Sequence, residues 1–130
     1  MKELTRAEEQ VMQILWDLKE GFVRDVISKF PEPKPASTTV ATVIRILENK
    51  GFVSHKTYGN SNMYFPNVTK ADYARNSMKT FVAKYFENSY CRMVSFFAKD
   101  GELSIEELEN IRQLISEKEA TIDSDTISKE

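Results

Sequence analysis

The sequence of 130 residues is poor in several residue types that mark particular protein classes. It holds one cysteine, one histidine, four glycines and four prolines, and no apolar run approaches the roughly 20 residues of a membrane span. The single cysteine, Cys91, cannot form an internal disulfide, which is typical of a reducing compartment. The stretch MKELTRAEEQ at the start lacks the apolar core of a secretory signal. These features predict a cytoplasmic protein without membrane insertion.

The residue combinations that carry enzymatic chemistry are also missing. The sequence contains no HExxH motif, no glycine-rich phosphate loop and no Ser–His or Cys–His arrangement. His55 stands beside Lys56 without a cysteine or carboxylate constellation, so we expect it to contact phosphate or solvent rather than a metal. The sequence therefore predicts a protein that is not an enzyme and that holds no cofactor or metal.

Charge is distributed unevenly along the chain, although the formal net charge is only −2. Residues 36–99 contain nine Lys or Arg against three Asp or Glu, whereas residues 100–130 contain three against ten. A basic middle segment favours a polyanionic partner. The alternative is that charges cluster by chance in a helical protein, and composition alone leaves both interpretations open.

Capping signals and apolar periodicity predict three short helices in the first part of the chain. A capping box, TRAE (residues 5–8), opens a helix over about 6–20, and Gly21 is expected just past its end. A second helix over about 22–30 is ended by the proline-rich segment PEPKP. A third helix spans about 37–50.

A hairpin and further helices are predicted after the third helix. The segments FVSHKTYG and NSNMYFPNV are rich in β-branched and aromatic residues, which favours two paired strands. A helical region follows over about 70–98, with a candidate break near Asn88-Ser89, and a capping box opens a last helix over about 105–118. The expected fold is mainly α with a small β-hairpin. It comprises a winged helix-turn-helix DNA-binding domain (1–68), a helical dimerisation region (69–119) and a polar, disordered tail (120–130).

The outward face of the third helix carries small side chains where a solvated helix normally carries Glu and Lys. Its apolar stripe leaves Thr38, Thr42 and Arg45 on the opposite side, with Ala41 beside them. Small side chains would let the helix backbone approach the floor of a DNA major groove, which is about 12 Å wide. The alternative is that Ser37 and Thr38 are simply cap residues and that Arg45 is a solvated charge.

The hairpin tip predicts a second DNA contact, to the minor groove or the flanking backbone, through Lys56, Tyr58, Asn60, Ser61 and Asn62. The helices beyond Pro66 carry more apolar surface than two helices hide against each other, which favours a partner, often a symmetry mate. Cys91 is expected to be a buried small hydrophobe there. The candidate dimerisation residues are Phe81, Tyr85, Phe86, Met93, Val94, Phe97, Ile105, Leu108, Ile111, Leu114 and Ile115.

From residue 4 to about 117 the sequence resembles the penicillinase-repressor family, the BlaI/MecI/CopY-type transcriptional repressors. The motifs that carry the resemblance are LTRAEEQVMQILW, STTVATVIRILENKGFV, HKTYGNSNMYFPNV and FFAKDGELSIEELENIRQLI. The resemblance implies a winged-helix homodimer, joined by intertwined C-terminal helices, that represses a dyad-symmetric operator in double-stranded DNA. The candidate DNA-binding residues are then Ser37, Thr38, Thr39, Ala41, Thr42, Arg45, Lys56, Tyr58, Asn60, Ser61 and Asn62.

This sequence also departs from the family pattern at informative positions. In one branch a membrane-bound sensor protease, triggered by β-lactam, relieves repression by cutting an Asn–Phe bond that matches Phe96–Phe97. Phe96 stands where that branch has asparagine. The copper-responsive branch carries paired C-terminal cysteines, which this chain lacks, and an arginine that some members carry in the recognition helix corresponds to Ala41.

Two other functions stay open at the level of the sequence. One is a winged-helix module that binds another protein, with the acidic C-terminal segment meeting a basic partner. The other is a ligand-sensing repressor of a different winged-helix family, whose pocket would be lined by Tyr85, Phe86 and Tyr90.

Overall fold

The computed structural model describes the backbone of residues 1–128 and the side chains of residues 1–122. The chain divides into two compact units, Met1–Lys79 and Thr80–Glu130, which we call the N-terminal and C-terminal units. No helix among residues 1–128 is both long and apolar enough to cross a membrane. The elements are α1 (Arg6–Leu18), α2 (Val23–Ser28), α3 (Ser37–Asn49), β1 (Val53–Tyr58), β2 (Ser61–Pro66), α4 (Lys70–Phe86), α5 (Tyr90–Lys99) and α6 (Ile105–Ser128).

The capping box predicted at the start of α1 is present. The Glu8 amide donates to Thr5 Oγ1 at 3.3 Å, and the Thr5 amide donates to Glu8 Oε1 at 3.1 Å. The helix ends at Leu18, two residues before the predicted end, because Lys19 turns the chain with a φ of 72°.

The prediction that Gly21 ends α1 was wrong. Gly21 is buried and forms a β-bridge with Tyr64: its amide donates to the Tyr64 carbonyl at 2.9 Å, and its carbonyl accepts from the Tyr64 amide at 2.8 Å. A Cβ atom at this position would lie 3.2 Å from Leu18 Cδ1 and 3.3 Å from Asp25 Cβ. Glycine is therefore required by the close packing around this bridge.

The predicted hairpin is confirmed, with β1 and β2 paired antiparallel and Tyr58 opposite Ser61. Gly59, the first residue of the two-residue turn, has a φ of 60°, whereas Asn60 does not have a positive φ. A positive φ at the first turn position alone is typical of the type II′ turn, whose twist suits a β-hairpin. We call this hairpin the wing.

One hydrophobic core lies between the first three helices and the wing. The apolar stripe predicted for α3 is confirmed, because Val40, Ile44 and Leu47 are buried. Burial of each such side chain contributes about 1.5–3 kcal/mol relative to exposure. The other buried members of the core are Val11, Met12, Leu15, Val26, Phe52, Val53 and Tyr73.

Tyr73 joins the first turns of α4 to the N-terminal unit. Its ring lies 5.8 Å from the Trp16 ring and 5.9 Å from the Phe52 ring, and its hydroxyl accepts a hydrogen bond from the Leu4 amide at 3.1 Å. The N-terminal unit therefore continues to Lys79, beyond the boundary placed after residue 68 from the sequence.

An ion pair joins the start of α1 to the end of α3. Lys50 Nζ lies 2.5 Å from Glu8 Oε1 and 2.8 Å from Oε2, and the Glu8 side chain is 5% exposed. Burial raises the pKa of the Glu8 carboxyl, but hydrogen bonds from Lys50 and Thr5 and the charge of Lys50 outweigh it, so that the pKa lies below its ordinary value. The charged pair thus fixes the C-terminal end of α3 against α1.

The helices of the C-terminal region confirm two further sequence signals. α4 and α5 are separate helices, because Glu87 and Asn88 adopt positive φ values of 54° and 64° and Ser89 caps α5 through the Arg92 amide. The break lies where it was expected. The capping box at the start of α6 is also present, with the Glu107 amide donating to Ser104 Oγ at 3.0 Å.

The last helix differs from the prediction in length. α6 continues through Ser128, whereas the sequence predicted an end near 118 and a disordered tail over 120–130. Residues 118–128 contain neither glycine nor proline, and Glu, Lys and Ala among them have high helix propensity, so no residue in this stretch ends the helix. Residues 129 and 130 of the predicted tail lie outside the described residues.

Candidate nucleic-acid interface

The start of α3 decides between the two interpretations of its hydroxyl residues. The N-cap position is Ala36, which makes no side-chain capping hydrogen bond, and Ser37 is already the first helical residue. Ser37 and Thr38 are therefore not the caps of this helix, and together with Thr39 they are exposed.

The predicted outward face of α3 is accessible, with Thr38, Thr42 and Arg45 exposed and Ala41 half-buried. The Thr42 hydroxyl donates to the Thr38 carbonyl at 2.8 Å, one turn earlier. Its proton is thus used within the helix, and Thr42 offers a partner only its methyl group and an acceptor oxygen, not the donor that the sequence suggested.

Arg45 is the positive charge on this face. It forms no hydrogen bond or ion pair with any residue in the part of the chain that the structure describes. A guanidinium that is exposed, unpaired and set on a helix whose inner face is buried can bind a carboxylate, a phosphate or a guanine edge without first breaking a contact.

The wing exposes most of the residues predicted for DNA contact, namely Lys56, Tyr58, Asn60 and Ser61. The Lys56 ammonium lies 5.9 Å from the centroid of the Phe65 ring. Asn62 is half-buried, and its side-chain oxygen accepts a hydrogen bond from Thr57 Oγ1 at 3.0 Å. Asn62 therefore also braces the end of the hairpin, a role that the sequence did not indicate.

The expectation for His55 as a phosphate or solvent contact needs correction. His55 Nδ1 lies 2.5 Å from Glu48 Oε2, and its ring packs edge-on against Tyr64 at 5.6 Å. Glu48 is the single carboxylate residue of α3. The contact therefore links the recognition surface to the wing and occupies the one negative group on α3.

Sequence reasoning missed two residues beside the wing, Phe22 and Arg24. The Arg24 guanidinium lies 4.9 Å from the centroid of the Phe22 ring, which packs edge-on against Tyr58 at 6.4 Å. The available signal was an arginine one residue after the aromatic that precedes α2, but nothing local indicated that this segment meets the wing.

All candidate dimerisation residues keep solvent-accessible surface in the single chain. Tyr85 is 61% exposed, Leu114 62% and Ile105 83%. Phe81, Leu108 and Ile115 are exposed as well, and Phe86, Met93, Val94, Phe97 and Ile111 are half-buried.

Two residues of α5 bear on other predictions. Cys91 is exposed rather than buried, because α5 contains no buried residue in the single chain. Phe96 is also exposed and Phe97 is half-buried, so the bond proposed for cleavage lies within a helix.

The family model described as the penicillinase repressor matches residues 4–117. The chain belongs to the penicillinase repressor family. A penicillinase repressor of Staphylococcus aureus is 30% identical over 118 residues, which cover 88% of this chain and 92% of that protein. The methicillin resistance regulatory protein MecI of Staphylococcus aureus (strain N315) is 28% identical over 117 residues, which cover 89% and 95%.

Among solved structures, the solution structure of the DNA binding domain of the repressor BlaI is 27% identical. The match covers 56% of this chain and 94% of that one, with a TM-score of 0.48. Membership of the penicillinase repressor family therefore depends on the matches that span nearly the whole chain.

Proposed function

We propose that the protein is a homodimeric, sequence-specific DNA-binding repressor of a dyad-symmetric operator, acting in the cytoplasm. The observation that carries the proposal is the outward face of α3, where small side chains surround an unpaired Arg45. Membership of the penicillinase repressor family supports it, as does the DNA binding that the BlaI structure carries in its description.

In this proposal α3 enters the major groove with its N-terminal residues toward the bases. Thr38, Ala41 and the Thr42 methyl group are suited to thymine methyl groups, and the short side chains permit close approach. Arg45 would bind a guanine edge or a phosphate, while Lys56 and the wing tip would contact the flanking backbone.

A second copy of the chain is the proposed partner of the C-terminal unit. Exposed apolar side chains such as Tyr85, Leu114 and Ile115 are unfavourable in water and are suited to a symmetric interface. A dimer would place two recognition helices on half-sites about 34–36 Å apart. Joining the two units makes the second binding event intramolecular, which raises overall affinity about 10²–10⁴-fold.

Relief of repression by a membrane-bound sensor protease is the remaining part of the proposal. The bond between Phe96 and Phe97 lies inside α5, so a protease that binds extended chain would require α5 to unwind locally. Cleavage there would separate α6 from the DNA-binding domain. Mass spectrometry of the protein from induced cells should detect a fragment that ends at Phe96; repressor that stays intact during derepression would remove this part of the proposal.

Footprinting of the full chain on its own upstream DNA tests the central proposal. We expect two protected half-sites related by a dyad, with centres about one helical turn apart. Arg45→Gln should weaken binding by about tenfold or more, since a good bidentate contact contributes about 1–3 kcal/mol, without lowering the melting temperature.

Arg112→Gln is the matched control, because it removes an exposed arginine from α6 and should leave affinity unchanged. Equal affinity of the Arg45→Gln variant and the wild type at one defined salt concentration would exclude Arg45 from the interface. Failure of the wild-type chain to bind any duplex would favour a protein-interaction module instead.

A further inference from the structure

A groove lies beside the wing tip, outside the surface of α3. It is formed by Phe22 and Arg24 at the start of α2 and by Asn60, Ser61 and Asn62 of the wing, and it has a volume of about 350 Å³. All of these residues belong to the N-terminal unit. The groove is open, which suits a polymer strand passing through it better than an enclosed small molecule.

Arg24 supplies the charge of this groove. Its guanidinium lies over the Phe22 ring at 4.9 Å, and Arg24 forms no ion pair with a carboxylate of the described residues. The neighbouring acid, Asp25, uses Oδ2 to accept the Phe22 amide at 2.9 Å. The Asp25 carboxylate is thus engaged by the backbone and does not pair with Arg24.

The orientation of Arg24 is supported from two sides. Phe22 packs against Arg24 on one side and contacts Tyr58 of the wing at 6.4 Å on the other. A guanidinium stacked on a ring keeps its N–H groups at its edge, directed outward in the ring plane, where they suit the oxygens of a phosphate. Asn60 and Ser61 add neutral hydrogen-bonding groups of the kind that contact DNA phosphates.

We propose that Arg24 binds a backbone phosphate of the DNA strand that flanks the sequence read by α3, and that Phe22 orients it. This inference rests on the proposed function. A phosphate contact positions the protein on the duplex but carries no base preference. Arg24 should therefore contribute equally to binding of operator and non-operator DNA.

The experiment uses the full chain and two duplexes of equal length, one selected by the protein from a random pool and one with that site scrambled. Affinity is measured over a series of salt concentrations. Arg24→Gln should weaken binding to both duplexes by a similar factor of about five, and it should reduce the magnitude of the salt slope by about 0.9, the value for one phosphate.

Three variants act as controls. Arg24→Lys keeps the charge and should restore the salt slope. Phe22→Leu keeps Arg24 but removes the ring beneath it, so it should lower affinity less and leave the slope unchanged, with thermal unfolding checked because Phe22 also contacts Tyr58. Arg112→Gln should change neither quantity.

The outcomes separate this inference from the proposed function. If wild-type protein binds with a salt-dependent affinity and Arg24→Gln leaves the slope unchanged, the phosphate contact is excluded while the repressor function stands. A loss confined to the selected duplex would also overturn it, since it would make Arg24 a base contact. If wild-type protein binds neither duplex, the proposed function fails and the inference fails with it.

Discussion

A single buried carboxylate, Glu8, has two roles in positioning α3. It accepts the Thr5 amide as part of the α1 capping box, and it accepts Lys50 at the end of α3. The two partners lie on opposite sides of the same side chain in sequence, three residues before it and 42 residues after it. One residue thus couples the start of the fold to the end of the helix that we assign to DNA.

We expect Glu8→Gln to lower the free energy of unfolding by about 2 kcal/mol at pH 7, because hydrogen bonds to a charged group contribute about 1.5–3 kcal/mol. Denaturant unfolding of the full chain measures this loss. Glu9→Gln is the control, since Glu9 is exposed in the same helical turn. A loss of similar size in both variants would mean that the pair with Lys50 does not carry the effect.

The same pair predicts a pH dependence whose sign follows from the lowered pKa of Glu8. A carboxyl that is more acidic when folded stabilises the protein fully above its usual pKa of 4.5 and loses this contribution as pH falls through the lowered value. The difference in stability between wild type and Glu8→Gln should therefore be constant near neutrality and shrink below about pH 4. A difference that persists at low pH would contradict this account.

At the scale of elements, the wing is held to α3 by the contact between His55 and Glu48. Loss of the contact should release the Glu48 carboxylate at the surface that faces DNA, where it would repel phosphates. We expect His55→Ala to weaken DNA binding several-fold and His55→Ala/Glu48→Gln to recover part of that loss.

A double-mutant cycle on DNA affinity measures this coupling, which should be about 0.5–1 kcal/mol for a partly exposed pair. Thermal unfolding of each variant shows whether the fold is retained. Strictly additive effects of the two substitutions would mean that the wing and α3 bind DNA independently.

Local signals were sufficient to locate most elements of this chain. The capping boxes at Thr5 and Ser104, the periodic stripe of α3 and the glycine turn of the wing all act within a few residues, and each lies where the sequence predicted it. The end of α6 was missed because a polar sequence without helix breakers resembles both a disordered tail and a solvated helix.

The contacts that complete the candidate interface join residues distant in sequence, and no local pattern encodes them. Gly21 meets Tyr64 across 43 residues of intervening fold, and Arg24 reaches the wing tip through Phe22 and Tyr58. The sequence identified the outward face of α3, but the internal hydrogen bond of Thr42 and the use of His55 by Glu48 depend on rotamers and on packing between elements.

At the scale of the whole molecule, the proposal depends on two copies associating through the C-terminal unit. We expect Leu114→Arg to convert the protein largely to monomer, because it places a charge among apolar side chains that are 54–62% exposed in the single chain, Ile115 and Leu114. Sedimentation measures the association state, and operator affinity should fall with it.

Ser116→Arg is the matched control for this substitution. It adds the same charge two residues later, where Ser116 is exposed beside the polar residues Arg112 and Gln113. Dimerisation that is equally impaired in both variants, or unchanged in Leu114→Arg, would show that the apolar face of α6 is not the interface.

The bridge between Gly21 and Tyr64 restricts how this family member can diverge. Both backbone groups of Gly21 are engaged there, only three positions after the end of α1 and two before the start of α2. An insertion or deletion in that connection would pull one helix out of register with β2, whereas a longer loop in place of Gly59-Asn60 would leave the helices where they are. Evolution can therefore change the reach of the hairpin by varying loop length, while the α1–α2 connection must keep its number of residues.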